Sequence, residues 1–197
     1  LLRYLSSTGD HALILGGWTD DVKVFPHGFH TFADASHKNE HLDFRGVTGV
    51  IIRYLGTPIQ WVSQVQSIVA ASIAEDEYYA YSIAGQLVQG LLFLLRDLGI
   101  VFDEIPILQG ENQAAIAIPF GLTGRGRSRH IDFRVALCRD YVRQKLIRLQ
   151  YCLTERMMAD ILTKQLSMAI FKLHVGTLVV SIPAFLHHMP NVSGLES

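Results

Sequence analysis

The chain has little that would cross-link it, anchor it or hold it extended. Of its 197 residues only two are cysteine, Cys138 and Cys152. That is too few for a disulfide framework, and they form no spaced metal motif, so a reducing compartment is expected. Charged residues make up 18% of the composition and the formal net charge is −1. This excludes a disordered charged tail and argues against a strong, general binder of polyanions. The opening Leu1-Leu2-Arg3-Tyr4-Leu5 lacks a basic segment followed by a long apolar core, so no secretory signal is expected. The most apolar late stretch, 176–186, is interrupted by Pro183 and falls short of the roughly 20 residues that span a bilayer. The expectation is a soluble protein without a membrane partner. There are no internal repeats and no low-complexity linker.

What is present is core material. Hydrophobic residues make up 49% of the chain, enough for one well-packed domain of ordinary size. The near-zero net charge conceals an uneven distribution. Eight basic residues fall between Arg125 and Arg148, namely Arg125, Arg127, Arg129, Arg134, Arg139, Arg143, Lys145 and Arg148, opposed only by Asp132 and Asp140. The remainder is correspondingly acidic. Such polarity suits a protein that holds a polyanion on one face and carboxylates on another, although a solvated helix face gives the same run.

The hydrophobic periodicity orders the elements. Residues 28–35 read as a strand, with Phe29, Thr31 and Ala33 on one side and His30, Phe32 and Asp34 on the other. Residues 47–54 and 59–65 are β-branched or aromatic runs around the turn signal Leu55-Gly56-Thr57-Pro58, giving a three-stranded meander. From 74 to 98 the period becomes helical and Gly99 ends it. A short strand over 105–109 and a short helix over 112–118 precede a Gly-Arg loop, 123–129. A helix over 131–145, a strand over 146–152 and a helix carrying Asp160 complete the order. This is an α/β arrangement on a mixed sheet. Trp61 and the aromatics of the long helix are expected in the core.

Four segments carry chemistry: Phe32-Ala33-Asp34-Ala35-Ser36, Ser72-Ile73-Ala74-Glu75-Asp76-Glu77-Tyr78, Glu111-Asn112-Gln113-Ala114-Ala115-Ile116 and Met158-Ala159-Asp160-Ile161-Leu162-Thr163-Lys164. Asp34 stands out locally, because a carboxylate on an otherwise apolar strand needs a reason to be there. Glu75, Asp76 and Glu77 compete, since any of them can complement a helix N-terminus. Asn112 is equally a helix cap. His30, His37 and His41 cluster in sequence without the spacing of a zinc site.

In this order the four segments resemble the ribonuclease H domain of copia-type LTR retrotransposon polyproteins. The resemblance covers nearly the whole chain and extends to Gly49–Tyr54, Pro58-Ile59-Gln60-Trp61 and Ser128-Arg129-His130-Ile131-Asp132-Phe133-Arg134. It implies a ribonuclease H-like α/β fold with a mixed five-stranded sheet flanked by helices. Residues 1–25 would be a connection segment, 26–170 the domain and 171–197 a C-terminal extension. It implies a metal-dependent endonuclease that cleaves the RNA strand of RNA–DNA hybrids during reverse transcription. Asp34, Glu77, Glu111 and Asp160 would hold two Mg²⁺ ions, with Mn²⁺ a possible substitute. Glu77 is chosen over its neighbours because it precedes Tyr78 as the family's glutamate does.

Two divalent ions roughly 3.5–4 Å apart serve the attacking and leaving oxygens of a phosphodiester, and hard cations prefer carboxylate oxygens. His130 would position the scissile phosphate or help release product, unless it simply bonds a neighbour at the helix start. Ser36, Asn112 and Gln113 would contact the hybrid's 2′-hydroxyls or base edges. Arg125, Arg127, Arg129 and Arg134 would hold phosphates. A reverse transcriptase domain of the same polyprotein is the implied partner, and a cytoplasmic virus-like particle or the nucleus the implied location.

The sequence departs from the family at Glu111, where aspartate is expected. It also has His37 in place of a tryptophan and Ala136 where a second histidine is expected. The longer acid would shift a carboxylate outward by about a bond length, and displacement on the order of 1 Å can lower a rate about a hundredfold. A catalytically impaired, domesticated module that binds nucleic acid or a protein is therefore the alternative reading.

Overall fold

The computed structural model describes residues 11–12, 28–37, 42–54, 56–100, 102, 104–117, 129–178 and 180–181. In chain order the strands are β1 (His11–Ala12), β2 (Phe29–Ala35), β3 (Val47–Tyr54), β4 (Thr57–Val65), β5 (Ile107–Gly110), β6 (Arg148–Tyr151) and β7 (Val180–Ser181). The α-helices are α1 (Ile73–Asp97), α2 (Gln113–Ala117), α3 (Arg129–Arg143) and α4 (Met168–Leu178). Strands β1 and β7 pair with each other. The other five form one mixed sheet in the order β4-β3-β2-β5-β6. The expected meander is there, with β3 antiparallel to both β2 and β4. Strands β5 and β6 then add in parallel on the other side of β2, each reached through a helical crossover as parallel pairing requires.

Strand β2 lies at the centre of the sheet and is buried along its whole length, and its two faces serve two layers. Phe29, Ala33 and Ala35, with Val50 and Ile52 of β3, pack against Tyr78, Tyr81, Ala84 and Val88 of α1 and against Val135, Cys138 and Tyr141 of α3. Phe32 and Ile51 point the other way, onto Cys152, Met157, Met158 and Ala159. The alternation is the two-residue period of a strand, and it matches the grouping expected for residues 29–34.

Helix α1 starts where Ser72 accepts a hydrogen bond from the Glu75 amide at 3.3 Å while Glu75 Oε2 accepts from the Ala71 amide at 2.8 Å. Both bonds satisfy amides that have no partner inside the helix. The helix stops at Gly99, which takes φ +76°, a conformation that glycine adopts without penalty. By length and composition α1 could span a bilayer, but its first half is buried, Glu75, Asp76 and Glu77 included.

Three expectations are corrected. Asp160 lies on a 3-10 segment, Met158–Leu162, preceded by another at Thr154–Arg156, and not on an α-helix. The bonds that define it span three residues: Asp160 N–H to the Met157 carbonyl at 3.1 Å and Thr163 N–H to the Asp160 carbonyl at 3.2 Å. This tighter winding lies flat on Gly49 of β3. A Cβ there would come within 2.7 Å of Thr163 Cγ2 and 2.8 Å of the Ala159 carbonyl. Trp61 is not core: it is 54% exposed on β4, an edge strand. Phe93 is likewise exposed, in the last turns of α1, while Tyr78, Tyr79 and Tyr81 are buried as expected. The Thr177 carbonyl of helix α4 accepts from the buried Arg53 of β3 at 3.3 Å.

Candidate metal centre and nucleic-acid interface

Four elements converge at the end of β2. Asp34 is the sixth residue of that strand and is fully buried. Glu77 projects from the first turns of α1 and is 1% exposed. Glu111 follows β5 directly, and because β5 runs parallel to β2 in adjacent register it arrives beside Asp34. Carboxylate oxygens of Asp34, Glu77 and Glu111 lie within 4.8 Å of one another. The extra methylene of Glu111 therefore does not carry its carboxylate out of the cluster. The fourth acid, Asp160, is buried on the 3-10 segment against the same end of the sheet.

The three neighbouring acids at the start of α1 divide their work. Glu75 completes the helix cap. Asp76, also buried, accepts a short hydrogen bond from His37 Nδ1. Only Glu77 turns to the cluster. The start of α1 is tied down by Gln66, the residue after β4, whose Nε2 donates to Thr48 Oγ1 at 3.2 Å and to the Asp76 carbonyl at 3.1 Å.

Among the described residues, several carboxylate oxygens at this site are buried without a hydrogen-bond partner, Asp34 Oδ1, Glu77 Oε2 and Glu111 Oε2 among them. Burying a carboxylate in that state is costly unless a cation meets it. The ionisation of the group reflects this. Burial holds the Glu77 carboxyl well above the usual carboxylate range, and the charges of Asp34 and Glu111 push it further, against Tyr81 and Lys164. Asp160 is pushed up to about 7, chiefly by burial and also by Asp34 and Glu111, against its hydrogen bond to Lys164. For Lys164, burial acts to lower the pKa, but the bond to Asp160 and the charges of Asp34, Asp160 and Glu111 outweigh it, so the ammonium form is favoured. Unpartnered oxygens and self-repelling carboxylates in one cluster are the donor set a hard divalent cation takes, so these residues fit such an ion.

Two residues of the last segment were not singled out from the sequence. Thr163 Oγ1 donates a short hydrogen bond to Asp34 Oδ2. Lys164 Nζ lies 2.9 Å from Asp160 Oδ1, 3.6 Å from Glu111 Oε1 and 3.8 Å from Asp34 Oδ2. The four-residue spacing of Asp160 and Lys164 was the available signal, since it places an acid and a base side by side in a helical turn.

The residues expected to contact nucleic acid are dispersed. Ser36 Oγ accepts from the Val47 amide at 2.9 Å, pinning β2 to β3. Asn112 Oδ1 accepts from the Ala115 amide at 3.0 Å and so caps α2, and Gln113 beside it is exposed. Arg134 is drawn inward, its guanidinium 3.5 Å over the ring of Tyr79 and donating to Ser82 Oγ at 2.6 Å. Arg129 and His130 open α3, but their side chains, like Arg125 and Arg127 entirely, lie outside the described residues.

Comparison with known proteins agrees with this geometry. No family model matches the chain. The retrovirus-related Pol polyprotein from transposon RE2 of Arabidopsis thaliana is 30% identical over 173 residues, or 87% of this chain. The corresponding polyprotein of transposon TNT 1-94 from Nicotiana tabacum is 29% identical over 164 residues. The chain spans about a tenth of these polyproteins, 11% and 12% of their lengths. Among solved structures, LC11-RNase H1 isolated from compost superposes with a TM-score of 0.53 at 15% identity, over 70% of this chain and 93% of that one. A second structure of that enzyme, in complex with an RNA/DNA hybrid, gives 0.51 at 13% identity, over 68% of this chain and 93% of that one. The chain is a ribonuclease H-fold domain homologous to a segment of the retrovirus-related Pol polyproteins of retrotransposons.

Proposed function

We propose that this domain is a divalent-metal-dependent nuclease that hydrolyses the RNA strand of RNA–DNA hybrids. The observation that carries the reading is the convergence of Asp34, Glu77 and Glu111, each of which keeps one buried oxygen without a hydrogen-bond partner among the described residues. These three would hold the metal, with Asp160 beside them, and Mn²⁺ is the expected substitute for Mg²⁺. A divalent cation bound there supplies a Lewis acid for phosphodiester hydrolysis and offsets the charge of the cluster.

The chain's own residues do the rest. Thr163 and the close seat on Gly49 fix the Asp160 segment against Asp34, so the acids are preorganised and do not have to be gathered at each turnover. Burial of Asp34, Glu77 and Asp160 keeps bulk water from screening the charges that hold the ion. Gln113, exposed next to the Asn112 cap and two residues beyond Glu111, would read a 2′-hydroxyl of the hybrid. LC11-RNase H1, which shares the fold, has been solved with a hybrid, and the homologous polyproteins come from transposons. In that setting the partner would be a reverse transcriptase domain on the same polyprotein.

The test is cleavage of an end-labelled RNA–DNA hybrid in Mg²⁺ and in Mn²⁺, with Asp34→Asn controlling for contaminating nuclease. Cuts confined to the RNA strand that disappear in the variant are expected. Folded wild-type protein that cuts in neither metal would leave a hybrid-binding module as the function.

A further inference from the structure

Tyr81 stands one helical turn after Glu77 on α1 and is fully buried. Its hydroxyl oxygen is buried as well and has no hydrogen-bond partner among the described residues. A phenylalanine would pack the same ring without burying an unbonded hydroxyl, so packing alone does not account for the tyrosine. The hydroxyl has one close neighbour that explains more. A Cβ at Gly110 would overlap Tyr81 Oη and come within 2.5 Å of Tyr81 Cζ. The phenol therefore occupies the place of a side chain at 110.

Gly110 is the last residue of β5, and Glu111 leaves directly from it. Leu108 packs in the α1 layer with Tyr78 and Tyr81, and Gly110, two residues on, faces the same way. Glu111 is thereby turned to the opposite side of the sheet. The parallel register, in which Phe32 pairs with Gln109, carries it toward Asp34. From the β6 edge the Cys152 amide donates to the Gly110 carbonyl at 2.8 Å. The backbone at 110 is thus held by β6 and rests on the phenol. Whether a carboxylate at 111 meets Asp34 and Glu77 then depends on the length of its side chain, and glutamate is long enough.

We propose that Tyr81 is a positioning residue for metal binding: its hydroxyl sets the height of the backbone at Gly110, and Glu111 is the length of acid that this height requires. The inference rests on the metal-dependent reading of the cluster and deepens it by naming what places the Glu111 ligand. Tyr81 and Glu111 are a matched pair, and shortening either one alone spoils the match.

The test is a double-mutant cycle on Mn²⁺ affinity, read by isothermal titration without nucleic acid, with urea denaturation of each protein alongside. Tyr81→Phe removes the hydroxyl and keeps the ring, and Glu111→Asp shortens the acid. Tyr81→Phe is expected to weaken Mn²⁺ binding about tenfold or more, as changes to groups that orient metal ligands do, and Glu111→Asp by a comparable factor. The double variant should regain most of the loss, because the backbone can settle onto the bare ring and bring the shorter acid back into reach. A tyrosine that served packing alone would move the urea midpoint and leave the affinity unchanged. Losses that simply multiply in the double variant overturn the proposal, as does either single variant that binds like wild type. If Tyr81→Phe does not fold, Gly110→Ala disturbs the same contact from the strand side: weaker Mn²⁺ binding supports the proposal and unchanged binding overturns it. Wild type that binds no Mn²⁺ removes the metal-dependent reading and the proposal with it. Multiplying losses in a wild type that does bind remove the proposal alone.

Discussion

Thr163 and Asp34 are 129 positions apart in the chain and joined by one hydrogen bond, the threonine hydroxyl donating to Asp34 Oδ2. The bond fastens the 3-10 segment that carries Asp160 to the central strand at the point where the acids meet. Thr163→Val keeps the shape and removes the donor, leaving a buried carboxylate oxygen short of a partner. The expected loss is about 1–3 kcal/mol of stability, read as a lower urea midpoint at unchanged slope, and Thr163→Ser should restore most of it. A valine variant as stable as wild type would mean that the remaining contacts, among them Ser63 Oγ donating to the Leu162 carbonyl at 2.7 Å, hold the segment in place without it.

Gly49 tests the same contact from the β3 side. A methyl group there meets Thr163 Cγ2 and the Ala159 carbonyl, and a backbone oxygen cannot rotate away as a side chain can. Gly49→Ala should lower stability by about 1–3 kcal/mol. Because it shifts Asp160 and Lys164 relative to Asp34, it should lower hybrid cleavage more severely, on the order of a hundredfold for a displacement near 1 Å. Chemical denaturation and single-turnover cleavage of the same preparation separate the two effects. Cleavage that falls only in proportion to the folded fraction would show that the segment's placement is not critical.

The raised carboxylates set the pH response of the metal-free protein. Asp160 goes from an ordinary value of 3.8 to about 7, and Glu77 is raised as well. Between those limits the folded state holds protons that the unfolded state has released, so this contribution to stability is present below about pH 4 and lost as pH rises toward about 7. With chelator present, Asp160→Asn should therefore melt above wild type at pH 8 and close to it at pH 4. Differential scanning calorimetry decides the matter, and an equal effect of the substitution at both pH values would contradict it. Divalent metal should reverse the trend for wild type, stabilising it more at pH 8 than at pH 6.

The two cysteines should be silent. Burial pushes the Cys138 thiol up to about 12 and the Cys152 thiol up to about 11, which leaves at pH 8 only about one thiolate in ten thousand and one in a thousand. Iodoacetamide should label neither in the folded protein and both in urea, as read by intact mass. Rapid labelling of Cys152 in the native state would mean that β6 and the turn after it open readily.

Much of this site was legible because the acids are tied to distinctive neighbours. Asp34 sits in an apolar strand, Glu77 stands before Tyr78 and Asp160 is embedded in Ala159–Lys164, and the meander and long helix followed from periods of two and about 3.6. What could not be read was orientation. Glu75, Asp76 and Glu77 are consecutive acids on one helix, and only the packing of α1 separates the cap, the His37 partner and the cluster ligand. The winding of the Asp160 segment was missed because its apolar spacing suits an α-helix, while a close seat on Gly49 favours the tighter turn. Trp61 was misplaced because aromatic content marks a strand without saying whether it lies at an edge. Arg134 was expected beside a phosphate from the family resemblance of 128–134, and its stacking on Tyr79 is a tertiary fact that no local pattern contains.

The order of the sheet bears on synthesis. Strands β2, β3 and β4 can pair as a local meander as soon as they are made, and α1 can dock on them from the next stretch of chain. The pocket of acids has no such early form, because Glu111 waits for β5 and Asp160 arrives after β6. The acidic cluster is thus the last part of the domain to be completed. Any interruption of translation, splicing or proteolysis ahead of residue 160 yields a product without a complete centre.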